Sequence, residues 1–511
     1  MSSFWDSLSY FFSLPFYIQW RTALVQIPRF VPLSILHITS PKGPQPFLIS
    51  LPSRKGNIIH IYVFVPPKPV DLGLEEDGDS LRERTGEWRV PVVLDFHGGG
   101  FIMGSPLEQA PYASMMSRTL GAVTISVSYR IGPFHQFPAA IHDAEDVLSA
   151  ILDTDGVSKA GMVLRMEIQR YYTMIRQAAL RKKAYTSAHF DSVSTITLDP
   201  NHLAISGFSA GGNIALNMAL SVPPCPELGL PTSPRATQTS DLTRGPSPSN
   251  TLSPLLSRGR APTILDDVHQ PWSSLLPPPQ ARPTLLPLLL FYPSLDARLL
   301  PHERPLKPMP NALNPDDKTA QKPRMPGLFS IMGPTYLPRK LRSHPRASPG
   351  LNNPDNIQKN AAILLVLPEK DTLAVQSDVW VDKMNCKGWN GPVRFGDGRE
   401  GDWDGHSGGS AGSSNVPSTE NAGLEVWHAP QCRHGWTQFP DLFVPKHEKK
   451  ERDLVFARTL DFVKDNWRKK LHIPGRRQGN SVQEMPPLHI PTYSSGLGVS
   501  GVDLDIRPAR V

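Results

Sequence analysis

The chain has 511 residues, with 53 Lys and Arg against 46 Asp and Glu, a formal net charge of +7 and an isoelectric point near 9.2. Its 55 prolines, roughly twice the usual share, assign much of the length to loop or disorder, while a hydrophobic content of 39% still leaves apolar runs dense enough for one large core. The basic excess comes with no zinc-finger spacing and no RNA-binding signature, so a nucleic-acid partner is excluded and solvated surface is preferred over attraction to an anionic membrane.

Residues 4–36 are rich in Phe, Trp, Tyr, Leu and Ile, but Asp6, Arg21 and Arg29 interrupt them and Pro15, Pro28 and Pro32 break any long helix. They lack the basic leader of a signal peptide and any run of ~18 uncharged apolar residues. A cap over an active site is favoured for residues 1–50, with contact at a membrane surface as the alternative. Strands follow at 57–65, 91–96 and 122–128, then a helix at 139–152 and a basic, helix-permissive stretch at 165–188. A strand at 202–206 leads into a helix at 211–220, and further strands lie at 286–291, 361–367 and 423–428 before a last amphipathic helix at 451–470. Near-continuous Val, Ile and Leu runs suit strands buried on both faces, so residues 51–470 form an α/β domain with a mostly parallel central sheet flanked by helices. Two insertions interrupt it: a Pro/Ser/Thr/Arg-rich, disordered segment at 223–283 and a Gly/Ser loop at 395–421. The acidic and histidine residues of that loop match no metal-site spacing, so no metal is assigned. The tail, 471–511, is expected not to fold.

Gly207-Phe208-Ser209-Ala210-Gly211 stands between a strand and a helix, the context of a sharp turn that exposes a nucleophilic serine. His97-Gly98-Gly99-Gly100 ends an earlier strand. A permissive turn is one explanation for these glycines. Bare N–H groups aimed at a developing oxyanion, where no side chain intrudes, account for them better, and Gly98, Gly99, Gly100 and the amide of Ala210 are the candidate donors. Asp371 lies just beyond the strand at 361–367, and His434 follows the strand at 423–428 in an Arg-His-Gly-Trp setting. Glu369 and His428 are their rivals. The chain order Ser209, Asp371, His434 is one that serine hydrolases use. Cys225, Cys386 and Cys432 are too few and scattered for a disulfide framework, which fits an intracellular, reducing setting, either cytoplasm or the cytosolic face of a membrane. Cys432 sits on no nucleophile turn and is taken as a small apolar neighbour of His434.

Together HGGGF, GFSAG, EKDTL and HGW resemble the hormone-sensitive-lipase-like (α/β hydrolase fold-3) group of α/β hydrolases, which includes esterases and deacetylases. Ser128-Tyr129-Arg130, the stretch Phe137-Pro138-Ala139-Ala140 with Asp143, Phe291-Tyr292-Pro293 and Arg346-Ala347-Ser348-Pro349 are similar to its further signatures. The resemblance spans most of 58–468 apart from the insertions. It implies an α/β-hydrolase fold with an N-terminal cap, Asp371 as the acid, and Gly99 and Gly100 as the best-matched oxyanion donors. Phe134 stands where the group carries Glu, which is expected to loosen a contact near the site. The long Asp371-to-His434 interval is expected to bring the Gly/Ser loop near the pocket entrance.

The expected activity is hydrolysis of a small to medium hydrophobic carboxylic ester through an acyl-enzyme, with no cofactor. A catalytically silent ligand-binding protein on the same fold and an acyltransferase are the alternatives. The motifs encode neither acyl length, leaving group nor oligomeric state.

Overall fold

A strand with alternating apolar residues buries one face, and one apolar throughout buries both. Both kinds meet here in a single sheet. The computed structural model describes residues 9–70, 72, 87–181, 195–222, 272–278, 284–305, 325–396 and 423–469. They belong to a compact unit that spans Met1–His472. The strands are β1 (Phe47–Pro52), β2 (Ile58–Phe64), β3 (Glu87–Phe96), β4 (Val123–Ser128), β5 (Thr195–Phe208), β6 (Leu286–Phe291), β7 (Ala361–Lys370), β8 (Val393–Phe395) and β9 (Leu424–Arg433). Their spatial order is β1-β2-β4-β3-β5-β6-β7-β9-β8. β1–β2 and β2–β4 pair antiparallel, and the remaining neighbours pair parallel. Half-burial at the antiparallel edge shows in β2, where Ile58 and His60 face outward while Ile59 and Ile61 are buried. β6, apolar throughout, is buried at every position.

The period of two sorts the central strands between two cores. Leu286, Leu288 and Leu290 of β6 join Ile363 and Leu365 of β7 on one face, whereas Leu289, Phe291, Leu364 and Val366 face the other. The first face is covered by α3 (Ala139–Leu152), α4 (Lys159–Arg181), α5 (Ala210–Met218) and α7 (Ala374–Asn385). The second is covered by α2 (Ala110–Leu120) and α8 (Lys446–Arg468). The fold is therefore an α/β sandwich of three layers with a mostly parallel sheet.

Several boundaries differ from the sequence reading. β1 begins at Phe47, inside the segment set apart as 1–50. β5 starts at Thr195, well before the expected 202. Asp199-Pro200-Asn201 forms an irregularity within β5 where the register with β3 shifts. Asp199 absorbs the break by accepting from the Asn201 amide at 3.0 Å and pairing with His202 Nδ1 at 2.6 Å. The three-residue β8 is too short for any periodicity to reveal. Up to Arg181 the basic stretch at 165–188 lies in α4, whose inner face is Leu164, Ile168 and Tyr172, and its last residues lie outside the described ones. Disorder at 223–283, the Gly/Ser loop at 395–421 and the tail at 471–511 fall mostly or wholly outside the described residues. Within the first, Trp272 pairs with Val222 in an isolated bridge.

The prolines of the N-terminal segment do punctuate it. Pro15 is the N-cap of α1 (Phe16–Gln26), and short 3-10 turns at Ile27–Phe30 and Leu33–Ile35 follow. Ile18 and Val25 of α1, with Leu14 before it, are buried in the main core. Among the described residues, no helix is long and apolar enough to cross a membrane.

Candidate active site

β5 runs straight into α5, and the single residue between them is Ser209. Its backbone has φ 54° and ψ −111°, a conformation that L-residues avoid and that persists only when its surroundings over-determine it. Here they do. The Ser209 amide donates to Phe291 O at 2.9 Å, and its carbonyl accepts from the Ser294 amide at 3.0 Å. Gly211 is required because a Cβ there would run into the Phe96 carbonyl of β3. The turn thus sits directly against the end of the strand that leads into the glycine loop.

Asp371 follows β7 and His434 follows β9, so both stand at the same carboxyl edge of the sheet as Ser209, where open α/β sheets place their ligands. His434 Nδ1 lies 2.8 Å from Asp371 Oδ2, and His434 Nε2 lies 2.9 Å from Ser209 Oγ. The Asp371 carboxylate is buried, and its other oxygen accepts from the Leu373 amide at 2.8 Å. An ionised carboxylate only accepts, so Nδ1 carries the proton and Nε2 is left as the acceptor facing the serine hydroxyl.

The rivals are occupied elsewhere. Glu369 is buried and accepts the amide of Gln431. His428 stacks on Phe395, with ring centroids 4.8 Å apart. Cys432 is fully buried, and burial, helped by Glu451, Glu448 and Glu369, pushes its thiol well above the ordinary range, so no thiolate is available there. Sequence reading gave no role to Tyr292, which the structure places edge-on to the His434 ring at 4.9 Å. Its hydroxyl pairs with Thr437 Oγ1 at 2.5 Å, tying β6 to the histidine loop. Only its place in the Phe291-Tyr292-Pro293 signature hinted at it.

The glycine loop is fixed by backbone need and by ring stacking. Gly99 has φ 113°, and a Cβ there would strike the Met103 carbonyl. His97 stacks on Tyr129 at 4.2 Å, and Phe101 stacks on Tyr336 at 4.6 Å. Burial, with the nearby Arg29 charge, lowers His97 to about 3. The imidazole is therefore neutral, and its Nδ1–H donates to Gly98 O at 2.7 Å. Among the described residues, the amides of Gly99, Gly100 and Ala210 donate to no backbone carbonyl. Gly98 lies under the side chain of Gln438.

The N-terminal segment reaches this loop. Arg29 donates to Gly104 O at 3.2 Å and to Tyr129 O at 2.8 Å. Phe134, which stands where the resembled group carries Glu, faces the Phe11 ring of the N-terminal segment with centroids 6.3 Å apart. Nearby, Arg130 and Asp143 pair at 2.7 Å. No group of three or more His, Cys, Asp or Glu side chains among the described residues forms a metal site.

A family model of the alpha/beta hydrolase fold matches residues 93–284. The chain is 30% identical over 176 residues to Probable carboxylesterase 1 of Arabidopsis thaliana, covering 34% of this chain and 45% of that protein. It is 29% identical over 130 residues to Carboxylesterase NlhH of Mycobacterium tuberculosis, covering 25% of this chain and 29% of that protein. The chain thus spans less than half the length of these curated relatives. A solved esterase of Pyrobaculum calidifontis overlaps 84% of this chain and 89% of its own at 17% identity, with a TM-score of 0.42, too loosely to bear on the assignment. The family-model match over residues 93–284 and the curated carboxylesterase relatives support the hormone-sensitive-lipase-like group of α/β hydrolases as the family that this chain resembles.

Proposed function

We propose that the protein is a serine carboxylic-ester hydrolase that acts through an acyl-enzyme on a small to medium hydrophobic ester. The observation that carries this is the unbroken line Asp371–His434–Ser209, with contacts of 2.8 and 2.9 Å, at the carboxyl edge of the sheet. In this reading Ser209 Oγ attacks the ester carbonyl while His434 Nε2 takes its proton, and Asp371 holds the tautomer and stabilises the imidazolium. The amides of Gly99, Gly100 and Ala210, with Gly98 alongside, receive the oxyanion. His434 then returns the proton to the leaving alcohol, and water, activated by the same imidazole, releases the acid. No metal or organic cofactor enters the scheme. A silent binding protein has no need of a histidine held between serine and carboxylate, so catalysis is the stronger reading.

The test is Ser209→Ala. It should lower kcat by about a million-fold and abolish labelling of the protein by a fluorophosphonate probe. Full hydrolysis of short p-nitrophenyl esters by this variant would sink the assignment.

The N-terminal segment belongs to the same proposal in two roles. Its inner face, with Arg29, supports the glycine loop as a cap. Its outer face carries Phe12 (66% exposed), Phe16 (79%), Trp20 (47%), Leu24 (49%) and Ile27 (57%). From Phe16 onward these residues follow helical spacing, and the Arg21 guanidinium lies 4.3 Å from the Trp20 ring. Aromatic and aliphatic side chains beside a cation suit an anionic membrane surface.

A further inference from the structure

The esterase reading leaves open what sets the width of the substrate, and one contact bears on it. α6 (Leu328–Tyr336) is anchored at its far end by the buried Met332 and Tyr336, the latter stacked on Phe101 of the glycine loop. Its first turn is thereby held over that loop. A Cβ placed on Gly100 would lie 2.7 Å from Cδ1 and 3.0 Å from Cε1 of Phe329, so the ring rests on the Gly100 backbone with no room for even a methyl group between them. Phe329 nevertheless keeps 42% of its surface exposed. A large apolar ring that lies on a candidate oxyanion donor, with its other side open, is a wall facing whatever enters.

We propose that Phe329 is a specificity-determining residue, a width filter that admits linear or flat groups beside the ester carbonyl and rejects groups branched at the atom next to it. The inference rests on the esterase reading. A carbonyl oxygen bound by the Gly99 and Gly100 amides brings its own substituents within reach of the ring. A straight chain or planar group slides along an aromatic face, whereas a branch next to the carbonyl occupies the volume of the ring itself. One methylene of misfit in an apolar pocket changes discrimination by about ten- to two-hundred-fold.

The experiment compares wild type, Phe329→Ala and Phe329→Tyr on two series of p-nitrophenyl and alkyl esters, one branched in the acyl group and one in the alcohol, with fluorophosphonate labelling of each variant. The expected result is that Phe329→Ala lowers the linear-to-branched ratio of kcat/KM at least about tenfold in one series, while the variant still labels. Phe329→Tyr, which keeps the ring, should hold the wild-type ratio. Ratios unchanged within twofold in both series, with labelling intact, overturn the filter while leaving the esterase reading standing. Wild-type protein that neither labels nor hydrolyses any ester overturns both. A general loss of activity in Phe329→Ala that is equal for linear and branched esters also counts against the filter.

Discussion

Asp95 is the residue whose chemistry and surroundings disagree most. It lies in β3 between Ser126 of β4 and Ser206 of β5, both directly across from it, and these hydroxyls donate to it at 3.1 and 2.5 Å. It is completely buried on the face shared with Tyr112 and Phe208. Burial raises its carboxyl to about 7, against the opposing pull of Ser206, Ser126 and the Phe96 amide. In the unfolded chain the same group titrates near 3.8. The folded state therefore holds the proton more tightly, and stability falls as pH rises from about 4 to about 7, then levels off. The cost above that window is on the order of 4 kcal/mol. Asp95→Asn should raise the melting temperature at about pH 8 and lose that advantage near pH 4. Melting curves of both proteins across this range decide it, and a pH-independent difference would show that the carboxylate is not strained.

The N-terminal segment is the element with the largest consequence for the site. Arg29, on a turn that Pro28 helps to set, spans to two carbonyls that flank the glycine loop, at Gly104 and Tyr129. Arg29→Met leaves both without their charged donor and should cost about 1–3 kcal/mol. Since Gly104 closes the loop that begins at His97, the same change should lower kcat more than it raises KM. Urea unfolding and steady-state kinetics test the two halves separately. A variant with reduced stability and wild-type kcat would make the segment a cover and nothing more.

At the scale of the whole molecule, a net charge of +7 and the outer face of α1 make one joint prediction. The protein should sediment with vesicles containing phosphatidylserine more strongly than with phosphatidylcholine alone, and high salt should weaken the difference. Phe16→Asp with Trp20→Asp, both at exposed positions, should abolish binding while ester hydrolysis in solution continues. Equal binding by this double variant would remove the outer face of α1 from the account.

Much of this was legible before any coordinates. Period-two and continuous apolar runs placed most of the sheet, because a strand buried on one or both faces must write that burial into its own sequence. The serine turn and the glycine loop were legible for a related reason: positive φ and close backbone approach are local demands, and Gly207, Gly211 and Gly99 record them directly. Other features answer to neighbours far away in the chain. Glu369 and Asp371 look equivalent in sequence, and only the fold turns one toward Gln431 and the other toward His434. Phe329 carries no local mark of its position and Tyr292 only its place in a signature, since their partners Gly100 and His434 are brought to them by the packing of separate elements. By itself the sequence determined the α/β class, the strained serine and the bare glycines, because each is a property of a short stretch of backbone. The tertiary structure decided which carboxylate and which histidine meet that serine and which ring covers that loop, because those choices depend on distances between strands that the chain crosses only after folding.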